Sequence, residues 1–317
     1  MLSMCQCRLL FITWLRACGV ASVKLAHRLH SVQIIMSLIL IGLSSEVVGL
    51  AVQQQHATVC FVRHGQSEYN AGNRFTGWTD IDLTDVGREE ASVGGAALRG
   101  FSFDRAFTSE LTRAQETLAI VLKAAQLHDV PTMRHWRLNE RHYGALQGQS
   151  KLECIDSYGM EQVRLWRNAF DVPPPLVPTS SEAFPGNDPK YEHVPPEHLP
   201  RGECLKDTLA RCHPFWIEHV MPELRAGRNV LIAAHGHSIR ALVKHLDSIS
   251  DEDISQFSVP NGIPLLYHLD QELRPIRAHD SASELVSGVF LSEDLDKVRE
   301  ADWLGRIEGG RVGHAPK

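Results

Sequence analysis

From Thr58 onward, apolar positions follow two alternating patterns. Short runs of consecutive apolar, β-branched residues predict buried strands, and apolar positions three and four apart predict amphipathic helices. Thr58-Val59-Cys60-Phe61-Val62 is the first strand-like run, and it ends at Arg63-His64-Gly65. Thr84 then caps a helix running to about Arg99, with Gly100 as its stop. Phe103 to Phe107 reads as a second short strand. Leu118, Val121, Leu122 and Ala125 give Thr112 to His128 a helical period. Two more helices are predicted between Ser150 and Phe170. Residues 171–200 hold nine of the 16 prolines, which predicts a long surface excursion without regular structure. A helix from Leu205 to Val220 follows, then the central strand Asn229 to Ala234, which ends at His235-Gly236-His237. A helix from Ser238 to Leu246, another after Ser250 and a strand at Pro264–Leu269 complete the pattern. Such alternation implies an α/β sheet with helices on both faces. No internal repeat is present.

The first segment differs in chemistry. Residues 1–45 contain Arg8, Arg16, Lys24 and Arg28 and no acidic residue, leaving 28 basic against 38 acidic residues in the remainder. The apolar run Ile34 to Ile41 and the small-residue stretch Gly49-Leu50-Ala51 resemble a secretory signal, with a lead-in long for that role. An acid-free, Arg-containing segment also fits an organelle transit peptide, and a non-native upstream extension is a third reading. A spanning helix is the weakest, because Glu46 interrupts an already short apolar stretch. Residues 1–56 are therefore expected to be a leader outside the fold, residues 57–295 the catalytic domain and residues 296–317 a flexible tail.

Charge and cysteine usage narrow the function classes. A formal net charge of -6 provides no bulk basic field, so no nucleic-acid partner is expected. Seven scattered cysteines in 317 residues give neither a disulfide scaffold nor paired zinc-ligand spacing. His235 and His237 alternate along the chain, but without a third ligand nearby no metal is expected.

Two predicted strands end in histidine followed by glycine, at His64-Gly65 and His235-Gly236. In open α/β sheets ligands bind beyond the carboxyl ends of the strands. Glycine beside an imidazole lets the backbone approach a ligand closely. An imidazole can attack phosphorus without a metal, provided that cations disperse charge on the transferring oxygens. Arg63 is adjacent, and Arg113 lies just past the second strand; guanidinium forks suit phosphate oxygens. Glu140 is the candidate proton donor and acceptor, and phosphate charge beside it is expected to raise its pKa toward neutrality.

Val62-Arg63-His64-Gly65, Asn70, Arg74-Phe75-Thr76-Gly77-Trp78, Thr108-Ser109, Asn139 to Gly148 (NERHYGALQG) and Ala233-Ala234-His235-Gly236 resemble cofactor-dependent phosphoglycerate mutase, a branch of the histidine phosphatase superfamily. The similarity runs from about Thr58 to about Asp294. It implies a doubly wound, mostly parallel α/β fold, with 2,3-bisphosphoglycerate as the priming phosphoryl donor and no metal. The implied reaction interconverts 3-phosphoglycerate and 2-phosphoglycerate in glycolysis and gluconeogenesis through a phosphohistidine. By this resemblance His64 is the nucleophile, Arg63, Arg113 and His235 hold the transferring phosphate, and Glu140 is the general acid/base. Asn70, Thr76, Gly77, Tyr143, Lys151, Arg167, Asn168, Gly236 and His237 line the substrate site. A small-molecule phosphoglycerate partner, a homodimer or homotetramer, no membrane association of the catalytic domain and a cytoplasmic location are implied, unless the leader redirects the chain to an organelle or the secretory pathway.

Three positions depart from the family. The usual pair of arginines after Trp166 is Arg167-Asn168, His-Gly-Asn is His235-Gly236-His237, and Pro-Thr-Gly is Pro260-Asn261-Gly262. His237 is expected to make the site pH-sensitive. These departures keep alive a bisphosphoglycerate mutase/phosphatase or another histidine phosphatase. An inactive scaffold is disfavoured by the joint presence of His64, Arg63, Arg113, Glu140 and His235.

Overall fold

The computed structural model describes residues 54–278 and 284–292. Residues 1–53 of the expected leader (1–56) and the whole of the expected tail (296–317) lie outside the described residues.

The strands and helices alternate as the apolar pattern predicts. In chain order they are β1 (Ala57–Arg63), α1 (Asp85–Ala97), β2 (Arg105–Thr108), α2 (Thr112–Ala124), β3 (Thr132–Arg134), α3 (Lys151–Tyr158), α4 (Met160–Asn168), α5 (Leu205–Phe215), β4 (Val230–Ala234), α6 (Gly236–Asp247), β5 (Pro264–Leu269), β6 (Pro275–Ile276) and β7 (Val289–Phe290). The sheet order is β3-β2-β4-β1-β5-β6, with β7 also on β5. The first four strands are parallel, and β5 runs antiparallel to β1. This is a mixed α/β sheet with helices on both faces.

Why helices cover both faces is legible in β1. Alternate residues of a strand point to opposite faces. Val59 and Phe61 join Val230, Ile232 and Ala234 in a core with Leu205, Phe215, Ile239 and Leu242 from α5 and α6. Cys60 and Val62 join Leu231 and Ala233 in a second core with Ala91, Leu118 and Val121 from α1 and α2. A strand buried on both sides shows a continuous apolar run instead of alternation, as β1 and β4 do.

Four features differ from the sequence expectations. The helix expected over Leu205 to Val220 continues to Arg225 through a widened turn at Trp216–Val220, which lies between Pro214 and Pro222. Proline has no N–H, so the ordinary bonding ladder is interrupted at both ends of that turn. The helix expected after Ser250 is only the single turn Asp253–Gln256. The edge strands β3, β6 and β7 are two or three residues long, too short for a periodic signal. The proline-rich excursion has three single turns, and it also has its own core: Val177, Phe184, Tyr191, Val194 and Leu199 enclose Trp78 and Trp136. No helix among the described residues is long and apolar enough to cross a membrane.

Gly65 serves packing, where the sequence suggested approach to a ligand. A Cβ placed there would lie 2.0 Å from the Gly87 carbonyl oxygen in the first turn of α1. Both backbones are rigid, so Gly65→Ala is expected to cost about 1–3 kcal/mol of stability through overpacking. Urea denaturation reads this as a lower midpoint with an unchanged slope.

Candidate active site

The parallel pairing of β1 with β4 matches Arg63 to Ala234, and the His64 amide donates to the Ala234 carbonyl at 3.0 Å. The residue after each strand is histidine, so His64 and His235 sit side by side with ring centroids 5.0 Å apart. On the other side of β4, β2 pairs Thr108 with Ala233, which brings Ser109 to His235. The Ser109 hydroxyl lies 2.7 Å from His235 Nε2.

Hydrogen-bond chemistry fixes the state of the His64 ring. His64 Nδ1 lies 2.7 Å from the Gly65 carbonyl, which only accepts, so Nδ1 carries the hydrogen and Nε2 keeps its lone pair. Ser109 Oγ accepts from the Leu111 amide and bonds His235 Nε2, while His235 Nδ1 is buried without a hydrogen-bond partner. Burial first, then Arg113 beside both rings, hold His64 and His235 well below 6.5. His64 is therefore neutral at neutral pH, with the lone pair of Nε2 available.

Arg113 is fully buried on the first turn of α2. Its terminal nitrogens donate to the Thr79 and Gly77 carbonyls at 2.9 and 2.8 Å, and its Nε points at His64 Nε2 across 3.4 Å. Gly77 thus aims Arg113 through its carbonyl. Arg63 donates to the Val259 carbonyl, and its own carbonyl receives the Gly262 amide. The departing segment Pro260-Asn261-Gly262 therefore holds Arg63 through its backbone. Burial lowers the pKa of Arg63 and of Arg113, the latter to about 10, so both are charged at neutral pH.

Glu140 lies on an irregular segment without a strand or helix to hold it. Arg211 of α5 replaces one. Its guanidinium pairs with both oxygens of Glu203 at 2.6 and 2.9 Å, and donates to the carbonyls of Arg137, Asn139 and Glu140. Glu203 accepts the His142 amide, and the Trp78 ring N–H donates to the Glu140 carbonyl at 2.6 Å. The Glu140 side chain meets the amino end of α6, where Oε1 accepts the amides of Arg141 and His237 at 2.8 and 3.0 Å.

One electrostatic expectation, that for His237, is corrected here, and the phosphate-free state of Glu140 is set beside it. Burial alone pushes the Glu140 carboxyl up, but His237, His235 and the Arg141 amide outweigh it and hold the group well below 4.5. Without phosphate beside it Glu140 is ionised; the rise expected of it belongs to the site filled by phosphate charge. His237 is held down to about 3 by burial and then Arg141, so it does not titrate near neutral pH.

The remaining expected substrate residues separate into two groups. Tyr143, Lys151, Arg167, Gly236 and His237 gather around Arg63 and Glu140, and Asn168 ends α4 beside Arg167. Arg141 donates to the Tyr143 hydroxyl and the Arg167 carbonyl. Burial, Arg167 and Arg63 push the Lys151 amine down to about 7. Burial and then Arg141 push Arg240 down to about 10. Neither Arg141 nor Arg240 has a carboxylate within ion-pair distance among the described residues. By contrast, the Asn70 side-chain oxygen is engaged locally, accepting from the Ser67 amide and hydroxyl to cap the turn Glu68–Ala71. Thr76 is buried beside Gly77 in the loop that anchors Arg113. Sequence reasoning did not assign roles to Ser109, Arg211, Glu203 and Arg240. Their sequence neighbourhoods read as ordinary helix or loop, and the roles arise only from tertiary contact.

One nitrogen of His64, one of His235 and one oxygen of Glu140 lie within 4.8 Å of one another. Such a trio has metal-ligand chemistry, and the third ligand is Glu140, which the sequence does not place there. Arg113 and Arg63 bring two positive charges to the same space. With Arg113 Nε 3.4 Å from His64 Nε2, the cluster favours an oxyanion over a cation.

Neutral buried histidines make stability pH-dependent. His142 and His237 are held near 4 and 3, against 6.5 in the unfolded chain. Their contribution is present above pH 6.5 and is lost as pH falls toward those values, because only the unfolded state takes up protons. Between pH 7 and 5 each costs on the order of 2 kcal/mol. Chemical denaturation at the two pH values checks this, and a flat profile contradicts it.

The description "Histidine phosphatase superfamily (branch 1)" matches residues 59–184 and 177–272. Among solved structures, a mycobacterial glucosyl-3-phosphoglycerate phosphatase complexed with VO3 is 24% identical, with a TM-score of 0.53 over 69% of this chain and 96% of its own. A putative alpha-ribazole-5'-P phosphatase from Escherichia coli is 22% identical, with a TM-score of 0.52 over 70% and 96%. YhfR of Bacillus stearothermophilus is 22% identical, with a TM-score of 0.55 over 72% and 99%. At these identities the structural likeness establishes the fold alone. The family match spans most of the chain and covers both strand-end histidines, Arg63, Arg113 and Glu140, and the chain belongs to branch 1 of the histidine phosphatase superfamily.

Proposed function

We propose that this enzyme is a phosphoglycerate mutase that interconverts 3-phosphoglycerate and 2-phosphoglycerate, with 2,3-bisphosphoglycerate as the priming donor. The observation that carries the reading is the layer of buried cations beyond the phosphoryl cradle. Arg63 and Arg113 flank the transferring group, while Arg141 and Arg240 lie beyond them with Glu140 as a nearby carboxylate. Buried like charges are stable only when an anion fills the space between them. A substrate bearing a carboxylate as well as a phosphate meets that demand. The buried, unpartnered His235 Nδ1 and the Nε and Nη1 atoms of Arg141 fit the same bisphosphorylated donor.

The reaction then follows from the proton states. His64 Nε2 attacks one phosphorus of 2,3-bisphosphoglycerate, forming a P–N bond as that phosphate's P–O bond breaks, and the released oxygen takes its proton from solvent. The hydroxyl of a bound monophosphoglycerate attacks that phosphorus, its proton goes to ionised Glu140, and the P–N electron pair returns to Nε2. After the bisphosphorylated molecule turns, Nε2 attacks the other phosphate and Glu140 gives its proton to the leaving oxygen. His235 and the two arginines carry the charge of the phosphoryl oxygens in each step.

A phosphatase is the second reading. Two of the similar solved proteins bear phosphatase names, and Asn168 stands where the mutase resemblance implies a second arginine. A coupled mutase assay with and without 2,3-bisphosphoglycerate separates the two. The mutase reading predicts 2-phosphoglycerate formation that depends on the donor and falls by roughly a thousandfold or more in His64→Ala. Release of inorganic phosphate without isomerisation supports the phosphatase instead. Asn168→Arg is expected to lower the KM for phosphoglycerate roughly tenfold by adding a charge-assisted bond of about 1.5 kcal/mol. An unchanged KM contradicts a weakened substrate clamp.

A further inference from the structure

His237 stands where the mutase resemblance implies a substrate contact, yet its neighbours are groups of the protein. Its backbone amide donates to Glu140 Oε1 at 3.0 Å. Its ring Nδ1 lies 3.2 Å from the same oxygen without making a hydrogen bond to it. Ring Nε2 lies 3.3 Å from the Arg167 carbonyl, and Tyr143 closes the ring edge-on at a centroid distance of 5.8 Å. Glu140 Oε2 faces another way. A Cβ built on Gly236 would lie 3.7 Å from it and 3.4 Å from Arg63 Nε, so Oε2 looks toward the phosphoryl cradle.

Both groups flanking the His237 ring are acceptors, and a neutral imidazole has one hydrogen to offer. A carboxylate is the stronger acceptor, and a ring lone pair turned toward it is repelled. The hydrogen therefore belongs on Nδ1, facing Glu140. We propose that His237 is a positioning residue for Glu140 and not a substrate contact: its amide and ring hold Oε1, so that Oε2 alone exchanges a proton with the reacting oxygen. The proposal rests on Glu140 acting as the acid/base.

The surroundings of the pair are cationic or neutral. Arg141 and Tyr143 face it from its own loop, Arg63 from β1, Arg113 from α2 and Arg240 from α6. His64 and His235 lie across the cavity, Arg167 of α4 presents its carbonyl to the ring, and Arg211 of α5 binds the Glu140 carbonyl. The ring stays neutral across the working range, so a change in the acid limb of a pH profile reports Glu140. Removing the Nδ1 hydrogen removes a donor to the carboxylate. The Glu140 pKa then rises, and the acid limb moves to higher pH.

Two measurements on the full chain test this. In spectra of the unliganded protein with 15N-labelled histidine, His237 is expected as the Nδ1–H tautomer, and Glu140→Gln is expected to move the hydrogen to Nε2. An Nε2–H tautomer in the unsubstituted protein overturns the proposal without reference to any activity. Kinetically, His237→Phe is expected to lower kcat about tenfold and raise the acid limb by about half a pH unit, with KM changed less than about twofold. His237→Asn places an amide hydrogen where Nδ1 stands and is expected to restore kcat to within about threefold. A tenfold rise in KM with kcat and the acid limb unmoved overturns the proposal in favour of a substrate contact. If the Nδ1–H tautomer is present but His64 accepts no phosphoryl group, the Glu140 clamp stands and the functional reading falls.

Discussion

The site depends on one parallel pairing, that of β1 with β4. Apart from Arg63 at the very end of β1, neither strand has a chemical group to contribute from its own length; both are buried on two faces and serve as core. What matters is that their carboxyl ends are in register, with Arg63 opposite Ala234 and the His64 amide on the Ala234 carbonyl. Because histidine follows each end, two imidazoles distant in sequence become neighbours. A shift of one residue in that register would send every side chain of one strand to the opposite face and disrupt both cores. The chemistry and the hydrophobic core are therefore held by the same constraint.

Around the two rings, charge is arranged to receive an anion. The histidines are neutral because burial and Arg113 forbid a further positive charge. The arginines are anchored by carbonyls, which fix a guanidinium without neutralising it: Arg113 by Gly77 and Thr79, Arg63 by Val259 and Arg141 by Arg167. Arg211 is the exception, since it pairs with Glu203. That pair is turned inward to hold the loop that carries Glu140. Breaking a buried pair of this kind leaves an unpaired charge behind, a cost of about 3–5 kcal/mol. An ionised Glu140 among so many donors is suited to accept a proton first and return it later.

The apolar pattern was enough to place the main strands and helices, because β1 and β4 are unbroken apolar runs and α1 and α2 have clear caps and periods. It could not reveal β3, β6 and β7, which are shorter than one period of evidence, or the core inside residues 171–200, where prolines mask the apolar residues that enclose Trp78. The cluster of His64, His235, Arg63, Arg113 and Glu140 was legible from strand-end grammar and the motif string. The acidity of its members was not. Nothing in the sequence signals that the amides of Arg141 and of α6 hold Glu140 Oε1 and keep the carboxyl ionised while no phosphate is beside it. His237 looked like a pH sensor until its burial beside Arg141 was visible. Ser109 and Arg211 act through tertiary contacts more than a hundred residues and about seventy residues away in sequence, which no local pattern encodes.

The central claim is that His64 Nε2 carries phosphorus during turnover. It is tested most directly by phosphorus NMR of the protein after brief exposure to a bisphosphorylated donor, with peptide mapping of the modified residue. The account predicts a single acid-labile phosphoramidate on Nε2 of His64. A phosphoryl group on another residue, on Nδ1 of that ring or in an acid-stable linkage would contradict it.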